Sequence, residues 1–430
     1  MRSAPSLLRW GFGMELQLPR GMRDFPPEEK ILRDKVIATL KELFELYGFS
    51  PLETPVVERW EILSAKYSGG EEILKETFKL KDQGGRDLGL RYDLTVPLAR
   101  FVGMNPTIKR PFKRYQIGTV YRDGPIKKGR TREFYQCDAD IVGSSSPLAD
   151  AECVQLALDV FERLGIDVIV KINNRKILSE MACLASVPQD LTDAAILSLD
   201  KLEKIGPDEV IREMVERGIS RASAERFLSG AQDREALKNS EGYRELEPVL
   251  SYLQDTRVVW TPSLARGLSY YTGTIYEVYA RDSSVTGSLA AGGRYDNMIG
   301  QFLEGAEKIP AVGISFGLEP ILEVLKERRD LPLRKTVTQV YVIPFKNLLS
   351  EGRRVCQQLR RAGIKTDMDF SAKGISDGLK YANAYDIPFV VIVGPDEVAQ
   401  GKVKLRDMRS GEERLLTIEE VVQHVRGRLA

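Results

Sequence analysis

The chain has 430 residues, enough for two or three domains with sizeable hydrophobic cores. Its 63 Lys and Arg residues nearly balance its 62 Asp and Glu residues, so the overall charge gives no sign of nucleic-acid binding and any such surface must be local. No apolar run in the sequence is long enough to cross a membrane.

The histidine and cysteine content narrows the possible chemistry. The single histidine, His424, falls on a predicted surface helix, which excludes a metal cluster built on histidines and disfavours nucleophile–histidine catalysis. The scattered cysteines form no C-x-x-C pair, so we expect neither a zinc site nor a disulfide framework, and a reducing compartment is the simplest interpretation. The cysteines are Cys137, Cys153, Cys183 and Cys356.

The N-terminal third begins with residues 1–17, which are expected to be a poorly ordered extension, either a targeting segment or an extended start upstream of Met14. Pro27 to Tyr47 predicts a helix because apolar side chains recur at near-helical spacing. Residues 88–95 alternate apolar and polar side chains, which predicts a strand with Asp93 and Thr95 on one face. A helix should follow from residue 96 to about residue 102.

Residues 112–143 predict two antiparallel strands joined by a basic loop. Between Lys109 and Arg132 nine basic residues accompany one acidic residue, so phosphate contact competes with a merely solvated loop as its role. A cation, an aromatic ring, an amide and a carboxylate alternate onto one face and could bind a zwitterion and a phosphate together. The alternative is a sheet whose polar face simply meets water. That face carries Arg122, Phe134, Gln136 and Asp140.

The rest of the chain separates into three blocks. A strand-poor, charged stretch at 175–255 predicts an inserted module of four helices, preceded by a helix at 149–164 and a strand at 168–172. Strands are expected at 258–261, 274–280 and 288–291, and a strand-to-helix passage at 313–326. After a polar linker at 328–335, strands and helices alternate, which predicts a partly parallel sheet covered by helices.

Three local motifs are ambiguous on their own. Residues 124–131 imitate a phosphate-binding P-loop, but Arg130 stands where lysine is required and a strand follows instead of a helix, so we reject that interpretation. Residues 292–296 form a tight-turn sequence. Tyr270 and Tyr271, if extended, must point to opposite faces, so that one packs while the other reaches a site.

Taken in order, several motifs resemble the histidyl-tRNA synthetases, a family of class II aminoacyl-tRNA synthetases. They are GMRDF at 21–25, LRYDLT at 90–95, the hairpin itself, LARGLSYYTG at 264–273, AAGGRYD at 290–296 and VGISFGLE at 312–319. Residues 393–412 resemble the anticodon-binding domain of that family. Together the likeness spans about residues 18–429.

The resemblance implies an α+β class II synthetase core, in which an antiparallel sheet is flanked by helices, with a helical insertion and a C-terminal α/β anticodon-binding domain. The implied boundaries are residues 18–172 and 257–330 for the core, 173–256 for the insertion and 336–430 for the anticodon-binding domain. The motif 1 of the family maps onto the first helix and a strand containing Pro55, and implies a homodimer.

The resemblance also assigns roles by position. The implied histidine-binding residues are Asp93, Thr95, Gln136, Asp140, Tyr270 and Tyr271, the first three at the α-amino group and Asp140 and Tyr271 at the imidazole. The implied catalytic residues, at the α-phosphate and the carboxylate, are Arg122 and Arg266. The implied ATP contacts are Arg122, Arg130 on the phosphates and Phe134 on the adenine.

The implied reaction joins the histidine carboxylate to the α-phosphorus of ATP and then moves the histidyl group to the 3′ end of tRNA(His). ATP is then a substrate, Mg²⁺ is expected, zinc is not, and the protein is expected in the cytoplasm. Three positions depart from the pattern: Gly124 replaces a usual glutamate, Ser269 a usual aspartate, and Pro320 an arginine that normally backs the nucleotide.

Two other functions compete with this one. A catalytically inactive, synthetase-like regulatory subunit of the ATP phosphoribosyltransferase of histidine biosynthesis would explain the departures, but it generally lacks an anticodon-binding domain. A generic α/β binding protein would leave the shared polar strand faces unexplained.

Overall fold

The computed structural model describes residues 16–65, 71–126, 131–266, 270–302, 308–328, 334–371 and 373–429. These residues form two compact units, one of residues 16–23 with 36–328 and one of residues 24–35 with 334–429. Most of the predicted extension at 1–17 therefore lies outside the described residues. Within the described residues, no helix is both long and apolar enough to span a bilayer.

The described strands are β1 Ser50–Pro51, β2 Val57–Arg59, β3 Lys79–Lys81, β4 Asp87–Leu90, β5 Phe112–Tyr121, β6 Glu133–Val142, β7 Val168–Asn174, β8 Val258–Trp260, β9 Thr274–Ala280, β10 Ala290–Arg294, β11 Ala311–Gly317, β12 Val340–Pro344, β13 Thr366–Met368, β14 Phe389–Val393, β15 Val403–Asp407 and β16 Glu413–Leu416.

The described helices are α1 Pro27–Leu46, α2 Trp60–Leu63, α3 Glu71–Lys75, α4 Thr95–Met104, α5 Pro147–Arg163, α6 Arg175–Leu184, α7 Thr192–Leu199, α8 Leu202–Ile205, α9 Pro207–Glu216, α10 Arg221–Gly230, α11 Arg234–Leu237, α12 Glu241–Leu253, α13 Leu318–Glu327, α14 Leu349–Arg361, α15 Ile375–Ala384, α16 Pro395–Ala399 and α17 Ile418–Leu429.

The large sheet of the first unit has eight strands in the order β1-β5-β6-β11-β10-β9-β7-β8. Its inner pairs are antiparallel, as expected, whereas the outermost pairs β1/β5 and β7/β8 are parallel, so the sheet is mixed. A parallel pair needs a long crossover connection, and the helices α6 to α12 supply one between β7 and β8. The hairpin β5/β6 matches its prediction closely.

The second unit contains a five-stranded sheet in the order β13-β12-β14-β15-β16. Its first three strands are parallel and the others antiparallel, as the strand–helix alternation predicts. The sequence analysis missed the short helix α16. His424 lies on a helix, α17, as expected, and is half-buried there, with its ring edge-on to Phe389.

Four expectations about local structure were wrong. The strand predicted at 88–95 ends at Leu90, and Thr95 instead begins α4, because the Asp93 carboxylate accepts the Val96 N–H (3.1 Å) and turns the chain into a helix. Asp93 and Thr95 therefore share no strand face. Pro55 lies between two strands rather than within one, and residues 292–294 continue the central strand β10 where a tight turn was expected.

The fourth correction concerns the insertion, where residues 175–253, all described, form seven α-helices and a 3₁₀ turn instead of four helices. The extra breaks coincide with side-chain caps. Ser220, Asp233 and Ser240 each accept a backbone N–H at the start of α10, α11 and α12. Serine and aspartate are favoured at this position, so the caps were readable in the sequence.

Candidate active site

A cavity of about 1030 Å³ lies on one face of the eight-stranded sheet. Every described residue that the sequence analysis assigned to a substrate lines it. Those residues are Asp93, Thr95, Arg122, Phe134, Gln136, Asp140, Arg266, Tyr270 and Tyr271. Arg130 and Ser269 lie outside the described residues, so their assignments stay predictions.

The strand register explains why the floor of this cavity is polar. Asp138 on β6 pairs with Gln116 on β5 and with Ser315 on β11. The same row continues through Ala291 on β10 to Glu277 on β9. Because cross-strand partners share a face, the row places polar side chains from four strands side by side.

Gly313 gives the cavity room for one of its carboxylates. It pairs with Asp140 on the neighbouring strand, and a Cβ atom at this position would lie 1.9 Å from Oδ1 of Asp140. Any side chain here would displace that carboxylate, so only glycine is compatible with the observed arrangement.

Asp93 marks one end of the cavity, at the start of α4. Its side chain is 6 % exposed, and burial raises its pKa to about 6, although the Val96 N–H and the positive charges of Arg122 and Arg114 oppose the shift. A buried carboxylate of this kind gains from a cationic ligand, which would replace the lost solvation.

Arg122 and Phe134 lie together at the loop end of the hairpin. Nε of Arg122 donates to the Tyr92 carbonyl oxygen (3.1 Å), and the Arg122 guanidinium carbon is 5.2 Å from the centroid of the Phe134 ring. The backbone N–H of Arg122 also donates to the Arg132 carbonyl (2.9 Å), which holds the two strand ends together. The cation and the aromatic face are therefore positioned on a fixed frame.

Asp140 is held by two residues that the sequence analysis missed. Arg114, whose side chain is fully buried, places Nη2 2.8 Å from Oδ2 of Asp140, and Tyr295 donates its hydroxyl to Oδ1. Burial raises the pKa of Asp140 and Arg114 lowers it. Arg114 faces Asp140 directly across the hairpin, so the register of β5 and β6 could have revealed the pair.

Arg266 is fixed by a third missed residue, Glu277 of β9. The Arg266 guanidinium forms a short ion pair with the Glu277 carboxylate, which also accepts the Tyr279 hydroxyl. Tyr270 and Tyr271 do not point to opposite sides of a strand, because their rings touch at a centroid distance of 4.7 Å and both line the cavity.

Asp138 adds a further carboxylate that the sequence analysis did not assign. Its side chain is 3 % exposed and lines the cavity, and within the described residues its Oδ1 has no hydrogen-bond partner. Oε1 of Gln136, two residues earlier on the same strand face, likewise has none. Buried acceptors without donors are rare in proteins, so both atoms point to a ligand that brings N–H groups.

Gly124 and Pro320, which depart from the pattern of the resembled family, have distinct surroundings in the structure. A Cβ atom at Gly124 would lie 2.7 Å from the carboxylate of Glu76, so another glutamate fills the space beside this position. Pro320 lines the cavity near the start of α13. Among the described residues, the cations lining the cavity are Arg122, Lys171, Lys204 and Arg266.

Comparison with known proteins agrees with this arrangement. The family described as histidyl-tRNA synthetase matches residues 21–321, and the anticodon binding domain family matches residues 339–428. The chain belongs to the histidyl-tRNA synthetase family. The expected class II fold, with its C-terminal anticodon-binding domain, is thereby confirmed, and members of this family are aminoacyl-tRNA ligases.

Individual relatives are similar over nearly their whole length. Histidine–tRNA ligase 1 of Bacillus anthracis is 43% identical over 417 residues, which cover 93% of this chain and 97% of that protein. Histidyl-tRNA synthetase from Nostoc sp. PCC 7120 superimposes with a TM-score of 0.83 at 32% identity, covering 96% of this chain and 100% of that one. An ATP phosphoribosyltransferase regulatory subunit/histidyl-tRNA synthetase from Bacillus halodurans shares the fold, with a TM-score of 0.71 at 22% identity over 88% of this chain and 98% of that one.

Proposed function

We propose that this protein is a histidine–tRNA ligase, which activates histidine with ATP and transfers it to the 3′ end of tRNA(His). The observation that carries the proposal is the convergence of the residues assigned to both substrates on one cavity, in a chain of this family. The 43% identity to a histidine–tRNA ligase and the matched anticodon-binding domain favour this function over the regulatory alternative.

The part of the cavity that carries the residues assigned to histidine is rich in hydrogen-bond acceptors. Asp93 and Gln136 suit the α-ammonium group, since one is a buried carboxylate and the other has an amide oxygen without a hydrogen-bond partner among the described residues. Asp140, oriented by Arg114 and Tyr295, suits an imidazole N–H, with Tyr271 beside it in the lining. The subsite therefore suits a ligand with one ammonium group and a ring that donates hydrogen bonds.

The first chemical step needs no protein base. The attacking carboxylate of histidine is already an anion, so the protein has to hold it in line with the α-phosphorus and offset the charge that builds up there. We assign this role to Arg122 and Arg266, which both line the cavity, with Arg266 held by Glu277. Phe134 offers its ring face to the adenine.

Magnesium bound together with ATP would supply positive charge beside the phosphates. Such ions usually require only one or two protein carboxylates. Within the described residues no cluster of three or more metal-binding side chains occurs, but Glu319 lines the cavity and fits a single-carboxylate contact. We also propose that Glu76 supplies the carboxylate that the family usually carries at position 124.

The remaining assignments follow from the family. We propose that the second unit binds the anticodon of tRNA(His), that the protein is a homodimer through motif 1, and that it works in the cytoplasm. These proposals are separate from the chemistry of the cavity and can fail without affecting it.

ATP–pyrophosphate exchange tests the activity directly. We expect exchange that depends on free histidine, and histidylation of tRNA(His) transcript but not of a tRNA for another amino acid. Folded protein, verified by circular dichroism, that shows no exchange with magnesium present would favour the regulatory function. Exchange without tRNA charging would confine the failure to the second unit or to the transfer step.

A further inference from the structure

Part of the cavity wall comes from the helical insertion and not from the sheet. The α7–α8 corner, residues 199–204, borders the cavity, and its side chains have no role in the function proposed so far. The contacts of this corner with the sheet lead toward Arg266. The corner contributes Leu199, Asp200, Leu202, Glu203 and Lys204 to the lining.

Lys171 of β7 joins the α7–α8 corner to the sheet. Its ammonium group forms a short ion pair with Glu203 of α8. The same group lies 4.9 Å from the centroid of the Tyr279 ring on the neighbouring strand β9, close enough for a cation–π interaction. Lys171 is also the cross-strand partner of Glu277, so it extends the polar row of the cavity floor by one strand.

The contacts continue from Tyr279 to Arg266. The Tyr279 hydroxyl donates to the Glu277 carboxylate, which forms the ion pair with Arg266. Burial raises the pKa of Tyr279 and the charge of Glu277 raises it further, so the hydroxyl keeps its proton and remains a donor. A continuous series of contacts therefore connects Glu203 of the insertion to Arg266.

The corner also lies within electrostatic reach of the same ion pair. Burial raises the pKa of Asp200, and the positive charge of Lys204 opposes this shift. The charge of Glu277 raises the pKa of Asp200 as well, and the charge of Arg266 lowers it. A displacement of the corner would therefore change the field at Arg266 in addition to breaking the contact with Lys171.

The corner is fixed to the rest of the insertion by Glu213 of α9. The Glu213 carboxylate accepts hydrogen bonds from the Lys201 ammonium group (2.8 Å) and the Ser198 hydroxyl (3.1 Å), and it pairs with Arg217 (2.9 Å). A movement of α9 would therefore carry the corner, and with it Glu203, relative to the sheet.

We propose that Lys171 and Tyr279 are positioning residues through which the helical insertion sets the orientation of Arg266. They act by holding the Glu277 carboxylate, which in turn orients the arginine. The assignment rests on the proposed function, because it takes Arg266 to act at the α-phosphate. A fixed charge accelerates a reaction only when it is aimed at the place where charge develops, so a poorly held Glu277 should lower kcat more than it raises KM.

Histidine-dependent pyrophosphate exchange by Glu203→Gln, Lys171→Met and Tyr279→Phe tests the series of contacts. We expect kcat to fall about threefold in Glu203→Gln, because its ion pair is exposed and weak, and about tenfold in the other two variants. KM for histidine should stay nearly unchanged in all three. The matched control is Glu241→Gln, which removes a carboxylate 68 % exposed, against 66 % for Glu203, from an ion pair of the insertion outside the cavity lining. It should leave kcat unchanged.

Combination with Arg266→Ala separates positioning from a direct role. Because Lys171 acts through Arg266, Lys171→Met should not lower the residual kcat of Arg266→Ala any further. A further loss of about tenfold in the double variant would overturn the proposal. An equal loss of kcat in Glu241→Gln, or an unchanged kcat in Tyr279→Phe, would overturn it as well.

Thermal unfolding of the same variants makes the test independent of activity. Once Arg266 is removed, Lys171 is the cross-strand partner left to offset the charge of Glu277, so Lys171→Met should lower Tm more in Arg266→Ala than in wild type. Equal losses of Tm in the two backgrounds would overturn the proposal. Wild type without exchange would instead refute the proposed function, and the Tm comparison would still decide whether Lys171 and Arg266 act on the same carboxylate.

Discussion

The cavity face of the eight-stranded sheet and the five-stranded sheet of the second unit differ in the side chains that they bury. The central strands of the second unit, β12 and β14, are apolar on both faces and entirely buried between two hydrophobic clusters. The cavity face instead buries Asp138, Asp140 and Glu277, and among the described residues Oδ1 of Asp138 and Oε1 of Gln136 have no hydrogen-bond partner. Continuous apolar runs stabilise a fold, whereas buried unpaired acceptors destabilise it until a ligand arrives.

This difference predicts how stability and function are linked in each region. Where the binding groups are themselves buried and charged, a substitution should change both stability and activity. Where the binding groups lie at the exposed rim of an apolar sheet, function should be lost without loss of stability.

The largest effect is expected at Arg266. Arg266→Ala should lower kcat for exchange by about 10²- to 10³-fold, because a fixed charge at the reacting phosphate is lost. It should also lower the free energy of unfolding by about 2–4 kcal/mol, because Glu277 is left buried without its cation. Exchange kinetics and urea denaturation measure the two effects.

The double variant Arg266→Ala/Glu277→Gln separates them. Neutralising Glu277 should restore much of the stability and none of the activity. Recovery of activity together with stability would mean that Arg266 acts only by supporting the fold, and full stability in the single variant would show that the pair contributes little.

The predictability of the two regions from sequence differs for the same physical reason. In the second unit, strand–helix alternation located nearly every element, since the central strands β12 and β14 are uninterrupted apolar runs between helices. In the first unit, alternation placed Gln136 and Asp140 on one face, but both faces of a central strand are covered, so nothing local marked Asp138 and Arg114 as buried. Asp140 and Glu277 receive their cationic partners, Arg114 and Arg266, from other segments of the chain, which the periodicity of a single strand does not reveal.

A smaller effect is expected at Asp93, and it concerns stability against pH. Because burial raises the pKa of Asp93 to about 6 in the folded protein, the folded state binds more protons than the unfolded state between about pH 4 and pH 6. The contribution of Asp93 to the free energy of unfolding therefore falls as the pH rises through that window. Asp93→Asn keeps an oxygen for the Val96 N–H and should be more stable than wild type above pH 6, by about 2 kcal/mol, with the difference vanishing near pH 4.

Denaturant unfolding of both proteins from pH 4 to pH 8, without histidine, measures this difference. Saturating histidine should reverse the order above pH 6, since the ligand ammonium group stabilises the charged carboxylate. A constant difference at every pH would show that Asp93 does not titrate in this window.

The smallest effect is expected at the rim of the second unit, at Phe370. Its ring is 79 % exposed just after β13, and Phe345 follows the neighbouring parallel strand β12, so both lie at the same carboxyl edge of the sheet. Exposed aromatic rings stack on unpaired bases, each worth about 1–3 kcal/mol. Phe370→Ala should therefore raise KM for tRNA(His) about tenfold and leave pyrophosphate exchange and stability unchanged.

The matched control is Leu415→Ala, which removes an exposed apolar side chain from the opposite edge strand. Equal effects of the two variants on tRNA charging would place the contact elsewhere, and a loss of exchange in Phe370→Ala would remove the distinction between the two regions.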